Sequence, residues 1–160
     1  MKKYLLLFIV AVVTENAASA APTMQDLIAL QQSGNYSCVI LNGNEPRKFN
    51  QRGVADLYDL LHSEPSLLKG ATMVDKVVGK GAAALMIAGG IKRLHTALIC
   101  TPALEMLRKA DIVVTFDKEV EYILNVRRTG WCPLEVRCKD AATYQECLPL
   151  IDDFVKTMRQ

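Results

Sequence analysis

The stretch from Ala71 to Gly90 constrains the fold of this chain more than any other. Its sequence, ATMVDKVVGKGAAALMIAGG, is apolar on almost every side after its first turns, and it ends in two glycines. A helix without a polar face belongs in the interior of a protein. The stretch therefore predicts one buried central helix, with Asp75, Lys76 and Lys80 near its start.

Composition and charge place this helix in a single globular domain. The chain has 160 residues, of which 51% are hydrophobic and 22% charged, and this length is enough for one core without metal or disulfide staples. The net charge of +2 includes no run of five like charges, which argues against a nucleic-acid partner. Lys76, Lys80 and the pair Arg127–Arg128 suit small anions better.

The N-terminus has the three-part order of a secretory signal. Two lysines precede an apolar segment from Tyr4 to Val13, and Ala18-Ser19-Ala20 forms a cleavage site of the A-x-A type. The apolar segment is too short to span a bilayer, so we expect no integral membrane segment in the mature chain. Residues 1–20 are thus predicted to be a signal peptide, and residues 24–160 the folded domain. Export follows if Met1 is the true start, whereas a start at Met24 leaves the protein in the cytoplasm.

The cysteines do not form a metal motif. Cys38, Cys100, Cys132, Cys138 and Cys147 include no C-x-x-C spacing, and the chain has only two histidines, so no metal site is expected. If the chain is exported, Cys132–Cys138 is the first disulfide to consider. No cofactor is expected. In particular, Gly79-Lys80 does not form a phosphate-binding P-loop, because the hydroxyl residue that should follow the lysine is replaced by Gly81.

The remaining patterns predict helices and strands in alternation. Thr23 and Asp26 form a capping box that predicts a helix from Met24 to about Ser33. It is followed by a hairpin (36–50), a second amphipathic helix (54–61) and the central helix (71–90). Two strands (92–100 and 111–116) joined by a helix (102–110) come next. A loop around Trp131 (127–140) leads to a final helix with Pro149 in its first turn. Strands joined by helices indicate an α/β three-layer sandwich with a mixed sheet.

Two groups of residues are candidate ligand contacts. On the predicted central helix, Asp75 suits a helix cap, while Lys76 and Lys80 lie one turn apart near the positive helix end, where an anion would offset their mutual repulsion. Alternatively, both lysines extend to solvent along an apolar wall. The loop TGWCPLE offers the aromatic face of Trp131, the thiol of Cys132 and the carboxylate of Glu135; the alternative is a loop anchored by its tryptophan.

Five blocks of the sequence stand out together: GNYSCVI, RGVADLYDLL, LKGATMVDKVVGKGAAALMIAGG, PALEML and TGWCPLE. With these blocks, the chain resembles the domain of unknown function 1893 family. The resemblance extends over nearly everything from Met24 onward and implies a cytidine deaminase-like fold. It does not imply an activity.

The zinc-binding motifs of deaminases are not matched by this chain. Those enzymes need H-x-E at one central helix and P-C-x-x-C at the next. This chain has Asp75-Lys76-Val77 at the first place and Cys100 followed by Thr101 at the second, too few ligands for zinc. A pocket lined by Lys76, Lys80 and Thr101 would remain.

Three hypotheses follow. The first is a small-molecule binding protein that holds an anionic or nucleotide-like ligand with Lys76 and Lys80. The second is a metal-independent enzyme that uses Asp75 and Lys76 for acid–base chemistry or Cys132 as a nucleophile. The third is a structural or interaction domain. The oligomeric state is left open.

Overall fold

The computed structural model of the chain describes residues 20–160, so the predicted signal peptide lies outside the described residues except for Ala20. The helices are α1 (Met24–Ser33), α2 (Ala55–Ser63), α3 (Pro65–Leu68), α4 (Lys80–Gly89), α5 (Thr101–Lys109), α6 (Pro133–Cys138) and α7 (Tyr144–Met158). The strands are β1 (Cys38–Leu41), β2 (Pro46–Phe49), β3 (Thr72–Val78), β4 (Arg93–Cys100) and β5 (Val113–Val120).

The strands form one mixed sheet in the order β2-β1-β3-β4-β5. β1 runs antiparallel to both β2 and β3, while β3, β4 and β5 are mutually parallel neighbours. The helix α4 connects β3 to β4, α5 connects β4 to β5, and the two helices pack against each other on one face of the sheet. The predicted α/β class and mixed sheet are confirmed.

The two faces of the sheet are covered unequally. The main core lies between the sheet and α2, α4, α5 and α7, and it includes the fully buried Met73, Met86 and Leu94. On the other face, α1 packs on β1 and β3 and buries a small second cluster around Leu27 and Val74. The third layer of the predicted sandwich is therefore the single helix α1.

The prediction of one helix from Ala71 to Gly90 is wrong over its first half, which is strand β3. The segment TMVDKVV is rich in valine, and β-branched side chains favour strands. Strands of a parallel sheet are covered on both faces and lack polar alternation, so an apolar run does not distinguish them from a buried helix. Helix α4 begins only at Lys80 and ends, as predicted, at Gly90, whose φ is +77°.

The C-terminal third also differs from the sequence prediction. The segment expected to be loop contains α6, and α7 begins at Tyr144 rather than beside Pro149. Pro149 lies inside α7, where its ring removes one backbone donor. The predicted capping box of α1, the β1–β2 hairpin, and α2, β4, α5 and β5 are confirmed. None of the helices in residues 20–160 combines the length and the apolar run that a membrane crossing needs.

Replacement of Leu27 by alanine tests the role of α1 as the cover of the second face. Leu27 is 1% exposed and packs in the small cluster with Val39, Leu41 and Val74. We expect Leu27→Ala to lower the free energy of unfolding by about 2–5 kcal/mol, measured by urea denaturation. The exposed Gln25 of the same helix provides the control, and Gln25→Ala is expected to change stability by less than about 0.5 kcal/mol. Equal costs for the two variants would contradict this role.

Candidate functional site

The carboxyl group of Glu135 lies where the parallel strands β3 and β4 end. The backbone N–H of Lys80, the first residue of α4, donates to Glu135 Oε1 at 2.6 Å. The thiol of Cys100, the last residue of β4, donates to Glu135 Oε2 at 3.3 Å. Both oxygens therefore act as acceptors, as in an ionised carboxylate. Glu135 is 6% exposed, and it supplies a negative group at the positive end of α4.

Gly79 makes room for this carboxyl group. A Cβ atom built on Gly79 would lie 2.2 Å from Glu135 Oε1 and 2.8 Å from Glu135 Cδ, which are distances that atoms do not tolerate. The absence of a side chain at this position therefore allows Glu135 to reach the first turn of α4. Gly81 similarly accommodates Leu134, because its Cβ would lie 2.6 Å from Leu134 Cδ2.

Three buried thiols lie near the Glu135 carboxyl group, and that of Cys100 contacts it. Burial, followed by the charge of Glu135, raises the pKa of Cys100 to about 12. Cys138 and Cys147 are fully buried and their thiols interact; the contact raises the pKa of Cys138 and lowers that of Cys147. All five cysteines are free.

The disulfide Cys132–Cys138 is incompatible with this geometry. Cys132 is the cap of α6 and Cys138 is its last residue, so a helical rise of about 1.5 Å per residue separates their Cα atoms by roughly 9 Å. A disulfide needs less than about 7 Å. The neighbour of Cys138 is Cys147 instead.

The ammonium group of Lys80 is buried without an acidic partner. Its Nζ donates to the backbone carbonyl of Lys139 at 2.9 Å, and the residue is only 9% exposed. Within residues 20–160, no carboxylate forms an ion pair with it. A buried cation with one neutral acceptor is unfavourable unless an anion compensates it.

A cleft of about 360 Å³ opens beside Lys80. One wall is α5 and the other is the connection from α6 into the first turn of α7. Apolar side chains and a few polar groups share the surface, as is usual for small-molecule sites. The apolar residues are Ile87, Pro102, Met106, Ala110, Ala141 and Ala142, and the polar or charged ones are Lys80, Glu105, Lys109, Thr143, Tyr144 and Gln145.

Asp75 lies on β3 and not on a helix, so its predicted role as a helix cap is wrong. Its Cα pairs with Cys38 on one side and with Thr96 on the other, and its Oδ1 accepts from the Val77 N–H at 3.0 Å. Burial raises the pKa of Asp75 to about 7. The charge of Asp56 also raises this pKa, while hydrogen bonds from the backbone N–H groups of Val77 and Lys76 lower it.

Lys76 is separated from the other predicted contacts. Its Nζ donates to the backbone carbonyl of Asn35 at 3.0 Å and also to the Asn35 side chain, just beyond the end of α1. The prediction that Lys76 and Lys80 share one helix face is therefore wrong, because Lys76 belongs to a strand. Asp75 and Lys76 are also neighbours on that strand, where successive side chains point to opposite faces, so they do not face one site as a pair.

The other predicted contacts lie along the edge of the site. Thr101 donates through Oγ1 to Glu119 Oε1 at 2.7 Å, which ties α5 to the end of β5. Trp131 stacks on Tyr122 with ring centroids 4.5 Å apart, and Cys132 is half-buried at the start of α6. Of the seven predicted residues, the structure brings Lys80 and Glu135 into direct contact.

The α7 side of the cleft was not predicted, although the sequence carries a signal for it. Thr143 and Glu146 have the spacing of a capping box, and the Thr143 side chain accepts from the Glu146 N–H. This pattern would have placed the start of α7 and its cleft-lining residues correctly. Within residues 20–160, no group of three or more His, Cys, Asp or Glu side chains is arranged to hold a metal ion.

Comparisons with known proteins agree on a family. The family model described as a domain of unknown function (DUF1893) matches residues 27–155. The crystal structure of a DUF1893 family protein from Thermotoga maritima is similar to this chain with a TM-score of 0.74 and 18% identity, over 83% of this chain and 92% of that one. No curated protein matches the chain. The structural likeness supports the fold, and no activity accompanies it.

A double-mutant cycle tests the dependence of the Glu135 cap on Gly79. Gly79→Ala displaces the carboxyl group, and Glu135→Ala removes it, so each leaves the Lys80 N–H without its acceptor. We expect each change to cost about 1–3 kcal/mol of unfolding free energy. In the Glu135→Ala background, Gly79→Ala should cost much less, because its Cβ no longer meets the carboxyl group. Gly130→Ala, where the nearest atom is 3.8 Å away, serves as the control; strictly additive costs would contradict the contact.

The pH dependence of stability tests the environment of Asp75. The pKa of this carboxyl is raised from 3.8 to about 7 in the folded protein, so the folded state retains a proton that the unfolded state loses. Asp75 therefore contributes stability below pH 4 that is lost as the pH rises to about 7. We expect Asp75→Asn to become steadily more stable relative to the wild type between pH 4 and 8 in urea denaturation. Stability curves that run parallel over this range would rule out the raised pKa.

Proposed function

The chain belongs to the DUF1893 family, and we propose that it binds a small anionic molecule in the cleft between α4, α5 and the start of α7. The observation that carries this proposal is Lys80, a residue that is 9% exposed and lines the cleft, and whose ammonium group has no carboxylate partner in the described part of the chain. An anion in the cleft would compensate this charge.

The position of Glu135 supports the cleft as the site rather than the N-terminus of α4. Helix N-termini bind anions readily, but the Glu135 carboxyl already occupies this position at α4 by accepting from the Lys80 N–H. Glu135 thus neutralises the helix end while the Lys80 side chain remains available on the cleft side. The proposed contact is the Lys80 ammonium, with Lys109 at the rim.

The walls of the cleft indicate the class of ligand. A volume of about 360 Å³ lies within the range of small-molecule sites. Apolar contacts from Ile87, Met106 and Ala110 suit a planar or aliphatic body, while Lys80 and Lys109 suit a carboxylate or phosphate. A nucleotide-like metabolite is one such ligand.

We also propose that the fold of this chain is cytidine deaminase-like. Its support is that α4 and α5 both begin where adjacent parallel strands end, which is the usual position of sites in open α/β sheets. At the start of α5, the residues present are Cys100 and Thr101 instead of a set of zinc ligands.

A metal-independent enzyme is the second candidate, and one observation favours it. The pKa of Asp75 is raised to about 7, and a carboxyl that titrates near neutrality can exchange protons with a substrate. Asp75 would act without Lys76, whose side chain is bonded to Asn35. If the comparison of Asp75→Asn with the wild type shows no titration near pH 7, this candidate loses its basis. The third candidate function is a structural or interaction domain.

Binding measurements on matched lysine variants test the proposed site. The probes are inorganic phosphate, cytidine monophosphate and benzoate, examined by thermal shift and then by isothermal titration calorimetry. A ligand that binds only the folded state raises Tm with its concentration. Lys80→Met keeps the apolar stem and removes the charge, and we expect it to weaken the binding of any probe by about tenfold or more, since one charge-assisted hydrogen bond contributes about 1.5–3 kcal/mol.

Two further variants keep this test decisive. Ala142→Phe fills the cleft from an exposed position and should also abolish binding, even if Lys80→Met folds poorly. Lys92→Ala removes an exposed lysine that does not line the cleft and should leave affinity unchanged. Binding that survives Ala142→Phe, or a lack of binding by all three probes at millimolar concentration, would contradict the proposal.

A further inference from the structure

The segment between β5 and α6, residues 121–132, forms an ordered arm. Leu124 and Trp131 pair as an antiparallel bridge, and the Cys132 N–H donates to the Ile123 carbonyl at 2.8 Å. At the tip, the Asn125 N–H donates to the Gly130 carbonyl at 2.8 Å, and the Asn125 side chain bonds Thr129. The arm is therefore held by its own hydrogen bonds.

The base of the arm is fixed to the core, while apolar side chains further along it are exposed. Ile123 is 8% exposed and belongs to the main core. In contrast, Leu124 is 45%, Trp131 42% and Val126 81% exposed. Exposed apolar groups gathered on one ordered segment usually mark a site of interaction.

Beyond Glu121 at its base, the arm carries only positive charges. Arg127 and Arg128 follow Val126 directly, and the sequence YILNVRRTGWC contains no acidic residue. Both arginines are exposed, and within residues 20–160 neither forms an ion pair. The complementary partner must be negatively charged and must also accept apolar side chains.

We propose that this arm binds the surface of an anionic lipid bilayer, with Val126 and Leu124 inserted and Arg127 and Arg128 on the lipid headgroups. Tyr122 and Trp131, stacked at 4.5 Å, occupy the level between them, and aromatic residues of this kind favour the membrane interface. Basic residues are attracted to anionic headgroups, and apolar side chains bury at the boundary of the acyl chains. A fluid surface can receive these few exposed apolar and basic side chains without a matching groove, which a protein partner would need.

The fluorescence of Trp131 provides a local readout of this contact, because it is the only tryptophan of the chain. The full-length protein is mixed with vesicles of phosphatidylcholine alone or with about one third phosphatidylglycerol. We expect a blue shift with the anionic vesicles only, and quenching when their acyl chains are brominated. The response should weaken as salt is raised, since ions screen headgroup charge.

Variants separate the two parts of the contact. Val126→Asp should abolish the blue shift, and the double change Arg127→Ala with Arg128→Ala should weaken vesicle affinity by about tenfold or more, since each basic residue contributes severalfold. Val113→Asp alters an apolar residue of similar chemistry, 62% exposed on β5, and should leave the response unchanged.

Other outcomes would overturn the proposal. An equal blue shift with both kinds of vesicle would remove the role of the arginines. A shift caused by soluble polyglutamate but not by vesicles would assign the arm to an acidic protein. No shift with any vesicle, or a shift that Val126→Asp leaves intact, would show that the arm does not meet lipid.

Discussion

The contact between the Glu135 carboxyl group and the first turn of α4 is the interaction on which the arrangement of the site depends. It joins α6 to the ends of two parallel strands, since one oxygen accepts from Lys80 and the other from Cys100. The contact requires a residue without a side chain at position 79, because a Cβ there would overlap the carboxyl group. A buried acidic group is tolerated at this position because its two oxygens have donors.

This contact also separates the roles of two opposite charges that the fold brings close together. The negative group of Glu135 meets the positive end of α4, while Lys80 lines the cleft and, among residues 20–160, its ammonium group is bonded only to the Lys139 carbonyl. The helix end is thus satisfied internally, and the lysine charge is not. A buried lysine beside a cleft of mixed apolar and polar lining supports the proposal that this cleft binds a small anion with an apolar body.

Local patterns predicted those elements that have a clear cap or period. The capping box of α1, the β1–β2 hairpin, the amphipathic α2 and the strands β4 and β5 follow from such patterns. The strand β3 does not, because its apolar residues do not alternate with polar ones and the glycine- and alanine-rich helix follows it without a turn signal. Lys76 was consequently placed on a helix beside Lys80, although it contacts Asn35.

The site itself was only partly predictable from the sequence. Lys80 and Glu135 were both identified as candidates, but their contact joins residues 55 positions apart and no local pattern encodes it. The fully buried pair Cys138 and Cys147 was likewise not expected, because the pairing depends on how α6 packs against α7. Helix packing and the position of a glycine decide these contacts, and both emerge only from the assembled fold.

The most direct measurement is anomalous diffraction from crystals of the protein soaked in bromide. We propose that Glu135 occupies the anion position at the N-terminus of α4 and that the Lys80 side chain binds an anion in the cleft. An anomalous peak is then expected beside Lys80 Nζ on the cleft side, while Glu135 stays in contact with the Lys80 N–H. A bromide peak at the N-terminus of α4 that displaces Glu135, or no peak beside Lys80 Nζ, would contradict this division of charges.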